Sequence, residues 1–123
     1  MGDQRRPRSV YGTGRDPDPR FSLANERTLL AWLRTSLGLV VAGIAVIALA
    51  RFVQPLWLVD VVAAVAFAAG AATALLGWQQ WARAERAMRR GEPLPTSLAA
   101  VAVLAAVLLL ALLGVVALLV VGR

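Results

Sequence analysis

Guanidinium groups repeated along one side of a helix are the chemistry this sequence offers. Between Asp18 and Gly43 it reads DPRFSLANERTLLAWLRTSLGLVVAG. At about 100° per residue, Arg20, Ala24, Arg27, Ala31, Arg34, Gly38, Ala42 and Ala45 fall within about 40° of one line. One helical face therefore carries three arginines and then only small residues. Such a face binds anions in either of two ways. In the first, Arg20, Arg27 and Arg34 snorkel to lipid phosphates, and Gly38 and Ala42 let another helix approach closely. In the second, the face lines a vestibule in an oligomer, where guanidinium groups draw in an anion that slides past small side chains. Arg34 lies about five residues inside the apolar run that starts at Leu29. Arginine at mid-bilayer costs about 2.5–3.5 kcal/mol on insertion scales, and snorkelling recovers part of that at this depth.

Acidic residues near the apolar runs are few. Glu26 is the only acid between Arg20 and Asp60, and its neighbours at three and four residues are Ser22, Leu23, Leu29 and Leu30. A partner for it must come from another helix or another subunit, with Arg83 and Arg86 as candidates; the alternative is a solvated Glu favoured by the helix dipole. Glu26 and Asp60 are expected on opposite sides of the membrane, where they cannot act as an acid–base pair. The chain has no Cys and no His, which removes thiol and imidazole nucleophiles and the usual zinc and haem ligands. No catalytic residue, metal site or cofactor is therefore expected, and no enzymatic activity.

The elements that position this face follow from hydropathy. Of 123 residues, 59% are hydrophobic and 16% charged, against about 45–50% apolar and about 25% charged in soluble domains. The apolar residues are gathered into runs too long for a small soluble core to hide. The expected fold is all-α with three transmembrane helices, at about 29–51, 57–78 and 98–121, the first preceded by an amphipathic, Arg-rich helical segment. Asp18 is placed to cap that segment with Pro19 at its first position. Residues 1–17, rich in Gly, Pro, Asp and Arg, are expected as a flexible tail without the apolar core of a secretory signal, and 18–121 as the membrane domain. In the second span Ala66, Gly70 and Ala74 form a small-xxx-small row suited to helix packing, and Thr73 is expected to bond its own helix backbone.

All 13 basic residues are arginine. Seven lie in the N-terminal segment through Arg34 and four between Arg83 and Arg90, against Arg51 and Arg123 on the other side. The positive-inside rule then places the N-terminus and the second connector in the cytoplasm and the C-terminus outside. A basic chain often implies nucleic acid, but this charge flanks membrane spans, so anionic headgroups are the expected partner.

The segment from Asp18, with its ANERT and WLR core, and GEPLP at 91–95 resemble the YidH-like family of small bacterial inner-membrane proteins, a domain of unknown function. The resemblance covers about residues 18–121 and implies a multi-pass protein of the cytoplasmic membrane. The same segment is similar to the membrane part of the eukaryotic vacuolar transporter chaperone complex, whose spans surround a path for polyphosphate. That resemblance implies Glu26 and Arg27 at a cytoplasmic mouth, with Arg20 guiding an anionic chain; the cytosolic domains that make polyphosphate in those complexes have no counterpart in this sequence. The function expected is thus a homo-oligomeric membrane protein whose basic mouth binds or conducts phosphate or polyphosphate. The alternative is a non-transporting scaffold that binds lipid headgroups.

Overall fold

The computed structural model describes residues 4–52 and 54–122. The first three residues of the expected tail and Arg123, counted above for the outer side, lie outside them. The chain forms a short helix α1 (Arg8–Tyr11), then α2 (Pro19–Ala48), a 3-10 turn (Ala50–Phe52), α3 (Leu56–Arg90) and α4 (Leu98–Val121). The last three of the α-helices are long and apolar enough to cross a membrane. The fold class expected from hydropathy is thus the one observed.

Each long helix starts or stops for a local reason. Asp18 accepts a hydrogen bond from the Arg20 amide at 2.9 Å, with Pro19 at the first helical position, where its missing N–H costs nothing. α2 therefore begins ten residues before the apolar run, and the amphipathic segment and first span are one continuous rod. α3 ends at Gly91, whose φ of 67° is left-handed and favours glycine. There the Glu92 N–H returns to the Ala87 carbonyl at 2.9 Å, closing the last turn. Ser97 caps α4 by accepting from the Ala100 amide at 3.3 Å.

The bundle is built around α2 and α3. Ala66, Gly70, Thr73 and Gly77 are buried in a seam along α3, and Ser36 and Gly43 are buried on α2. Large side chains lie over the glycines of this seam. A methyl on Gly77 would come within 2.5 Å of Trp32 Cβ, one on Gly70 within 2.8 Å of Val40 Cγ2, and one on Gly43 within 2.9 Å of the Phe67 ring. In lipid, where there is no hydrophobic drive between helices, this close packing is what associates them. Ser36 Oγ adds a buried hydrogen bond to the Gly70 carbonyl at 2.6 Å. Thr73 Oγ1 bonds the Ala69 carbonyl one turn back in its own helix.

α4 leans on α3 through Ala99, Val103, Ala106, Leu110, Leu113 and Ala117, the half-buried positions of a heptad stripe. No residue of α4 is fully buried. At a rise of about 1.5 Å per residue α3 is about 52 Å long, so it overruns a hydrocarbon core of about 30 Å. Its overrun is the Arg-rich end, lying beside the start of α2. We call this the basic end of the bundle.

Of the expected flexible tail, residues 4–17 are described, and most of them lie against the helices. Residues 5–16 fold as a strap against the basic end of α3, held by Arg89 and by Val10, which has no solvent exposure.

Candidate functional site

At the basic end two groups of polar side chains share a few turns of α2 and α3 but have opposite character. One is buried and hydrogen-bonded within the protein, apart from Trp81 Nε1, which has no partner among the described residues; the other is exposed.

Glu85 organises the buried group. It is 3% exposed, and its two oxygens accept from Ser22 Oγ at 2.8 Å and Asn25 Nδ2 at 3.2 Å. Asn25 also donates to the Trp81 carbonyl at 3.1 Å. Ser22 and Asn25 are three residues apart on one face of α2, as Trp81 and Glu85 are four apart on α3, so the two helix faces meet in register. This network ties the helices where the glycine seam ends. Sequence reasoning missed Glu85 when it took Glu26 and Asp60 as the acids near the spans. The available signal was a Ser/Asn pair and a Glu each aligned with the core face of its own helix.

One turn further along α3, Arg89 anchors the strap. Its side chain is 4% exposed. Nε donates to the Thr13 carbonyl at 2.8 Å, Nη2 to the Tyr11 carbonyl at 2.9 Å and Nη1 to Asp16. The Arg89 carbonyl in turn accepts from the Arg15 amide at 2.9 Å. Gly14 has a φ of 62°, and a methyl there would lie 2.0 Å from the Arg89 carbonyl oxygen; both facts require glycine. Hydrogen bonds from Arg5 and Arg89 hold the Asp16 carboxyl below the ordinary carboxylate range. Burial pushes the Tyr11 hydroxyl up, and the Glu85 charge adds to that. The Tyr11 ring meets Trp81 edge-on at 6.3 Å between centroids, and Val10 packs against Trp81 and Ala82.

The exposed group is the arginine stripe. Arg20, Arg27 and Arg34 are all exposed, on the side of α2 away from the residues that contact α3. The Arg20 side chain is 91% exposed, with Asp18 at 3.8 Å; among the described residues Arg27 and Arg34 form no ion pair. Glu26 is exposed beside them and does not pair with Arg83, which is exposed, or Arg86, which is half-buried. Among the described residues of the single chain, Glu26 makes no ion pair with either arginine, and Glu85 is the acid that bridges α2 and α3. Of the packing positions, Ala66 and Gly70 are buried against α2 and Ala74 is half-buried. Gly38 and Ala42 are exposed, and nothing lies within 4 Å of where a Gly38 side chain would begin.

Residues 20–87, from the first arginine of the stripe to the turn after Glu85, match the family model described as "Domain of unknown function (DUF202)". The chain belongs to the DUF202 family. The matched region contains α2 from Arg20 onward, most of α3, the Glu85 network and the whole stripe, and excludes the strap and α4. Over 83 residues the chain is 45% identical to "Inner membrane protein YidH" of Escherichia coli K12, covering 67% of this chain and 71% of that protein. It is 44% identical over 80 residues to "Uncharacterized protein Rv2272" of Mycobacterium tuberculosis H37Rv, covering 65% of this chain and 66% of the relative. No solved structure matches.

Proposed function

We propose that this DUF202 protein is an oligomeric protein of the bacterial inner membrane whose Arg20, Arg27 and Arg34 stripe engages phosphate-bearing anions at a cytoplasmic mouth. The observation that carries the reading is the contrast between arginines. Arg89 is buried and its donors are spent on the protein's own carbonyls and on Asp16, whereas Arg27 and Arg34 project from α2 without an acidic partner among the described residues. Guanidinium forks left open at the membrane boundary suit phosphate oxygens. The inner-membrane setting is supported by the similarity to the inner membrane protein YidH, and the orientation by the excess of arginine at the basic end.

Self-association is part of the proposal because three helices have too little circumference to enclose a polar path. Gly38 and Ala42 continue the stripe as a bare, close-approach surface on α2, available to a second copy. The resemblance of the ANERT segment to the vacuolar transporter chaperone membrane domain supports a phosphate chain as one candidate anion. We assign no reaction to the protein: Glu26 and Asp60 are at opposite ends of the bundle, and Glu85 is engaged in holding α2 to α3.

The test is a subunit count by native mass spectrometry, followed by anion flux in vesicles reconstituted with the full chain. A closed assembly of three or more copies, with phosphate or polyphosphate flux that falls in Arg27→Gln/Arg34→Gln, is expected for a conducting mouth. A monomer or dimer without flux removes conduction. It leaves the second reading, a headgroup-binding scaffold, which the exposed position of all three arginines equally favours.

A further inference from the structure

α2 and α4 both pack on α3 but scarcely touch each other, and the seam between them is open at two levels, with a cavity above it. That cavity, about 280 Å³ at the basic end, lies between α2, α3 and the connector into α4 and is lined by Phe21, Thr28, Gln80, Leu94 and Pro95, among others. Deeper, Thr28, Ala31, Trp32 and Thr35 of α2 face Ala100 and Val103 of α4 across about 310 Å³. Toward the far end Val46 and Leu49 face Gly114 and Ala117 across about 190 Å³ of almost wholly apolar lining. An open seam between apolar helices forfeits dispersion contacts along its whole length, so in a bilayer it is filled.

Chemistry decides by what. Thr28 and Thr35 have spent their hydroxyls on the Ala24 and Ala31 carbonyls, so the middle of the seam offers aliphatic surface. Arg27 and Arg34 immediately precede and flank those threonines, and Ala31 belongs both to the cavity lining and to the arginine stripe. Gln80 lines the mouth with an amide that has no hydrogen-bond partner among the described residues. The seam thus runs from cationic edge and polar mouth to apolar slot. α4 carries no ionisable side chain, so its counterpart from a second copy would offer nothing to neutralise the guanidinium groups.

We propose that the α2–α4 seam binds an anionic phospholipid, with its phosphate on Arg27 and Arg34, its glycerol ester region at Gln80 and an acyl chain in the slot past Ala31 and Ala100. This rests on the anion-binding reading of the stripe and names what carries the anion.

The test uses the full chain in phosphatidylcholine nanodiscs doped with phospholipid brominated in its acyl chains. Quenching of Trp32 is read as the signal lost in Trp32→Phe. Brominated phosphatidylglycerol is expected to quench Trp32 at about a thirtyfold lower mole fraction than brominated phosphatidylcholine, as two arginines at a lipid surface, each worth about 1 kcal/mol, imply. Arg27→Gln/Arg34→Gln should abolish that preference. Ala31→Leu/Ala100→Leu, which fills the slot, should suppress quenching by both lipids while helix content stays unchanged. Equal quenching by the two lipids, with inorganic phosphate still binding in an Arg27- and Arg34-dependent way, overturns the lipid assignment and leaves the anion reading standing. Loss of both responses overturns both. No quenching by either lipid, together with disulfide formation between Ala31→Cys on one chain and Ala100→Cys on another, shows a second copy in the seam and overturns the proposal.

Discussion

Replacing Gly70 by alanine should loosen the membrane domain at its centre. The added methyl would lie 2.8 Å from Val40 Cγ2 and 3.1 Å from the Ser36 carbonyl oxygen, against an optimum near 3.5–4.0 Å between carbons. Val40 can turn away, but the Ser36 carbonyl belongs to the α2 backbone, so the helices must part by several tenths of an ångström. The same displacement strains the buried 2.6 Å bond from Ser36 Oγ to Gly70. Overpacking of this kind costs about 1–3 kcal/mol, and the weakened bond about 0.5–1.5 kcal/mol more. Alanine's helix propensity returns at most about 1 kcal/mol. The net expectation is about 1–3 kcal/mol of lost stability, measured by reversible unfolding in mixed detergent micelles. Gly38→Ala is the internal control: with nothing within 4 Å, it carries no clash and should stabilise the single chain by up to about 1 kcal/mol through helix propensity alone. Equal stability of Gly70→Ala and Gly38→Ala would refute the close α2–α3 contact.

Three further outcomes follow from the basic end. Arg89→Ala removes the donors that hold Tyr11, Thr13 and Asp16, so amide exchange across residues 8–16 should rise to that of an open chain while α2 and α3 stay protected; continued protection of the strap would contradict its anchoring. Asp16 titrates below its unfolded value in the docked strap, so its contribution is present above the ordinary carboxylate pKa of about 3.9 and is lost as pH falls through the docked value. Strap protection should therefore drop on acidification below about pH 4, and Asp16→Asn should weaken docking at neutral pH and flatten that dependence. Asn25→Ala leaves one Glu85 oxygen and the Trp81 carbonyl without their shared donor, and should cost about 1–3 kcal/mol in the same micelle unfolding assay; an unchanged transition would mean that water replaces the amide.

The parts of this architecture legible in the sequence are those written in contiguous residues. The three apolar runs, Asp18 with Pro19, the back-bonded Thr73 and the Ala66–Gly70 row each declare themselves within a turn or two. The strap does not, because its Gly- and Pro-rich stretch has no apolar period, and what orders it is a guanidinium 73 to 78 residues away. The Glu85 network is hidden for the same reason: a Glu amid arginines reads as a solvated face until Ser22 and Asn25, 63 and 60 residues back, are brought against it. The stripe was legible as a helical face. That it turns away from α3, and that Glu26 goes with it rather than toward Arg83 or Arg86, depended on which side of α2 the glycine seam selects.

On the proposed function, Arg20, Arg27 and Arg34 form the surface that meets phosphate. The most direct test is a binding titration of the full chain in zwitterionic nanodiscs with a short polyphosphate at two salt concentrations. The same titration is run on Arg20→Gln/Arg27→Gln/Arg34→Gln and on Arg5→Gln/Arg6→Gln/Arg8→Gln. Binding is predicted to weaken with salt, as exposed charges are screened, and to fall at least about tenfold in the stripe variant, with each arginine worth about 1 kcal/mol. Unchanged binding by the stripe variant, with the loss appearing in the strap variant instead, would contradict the account.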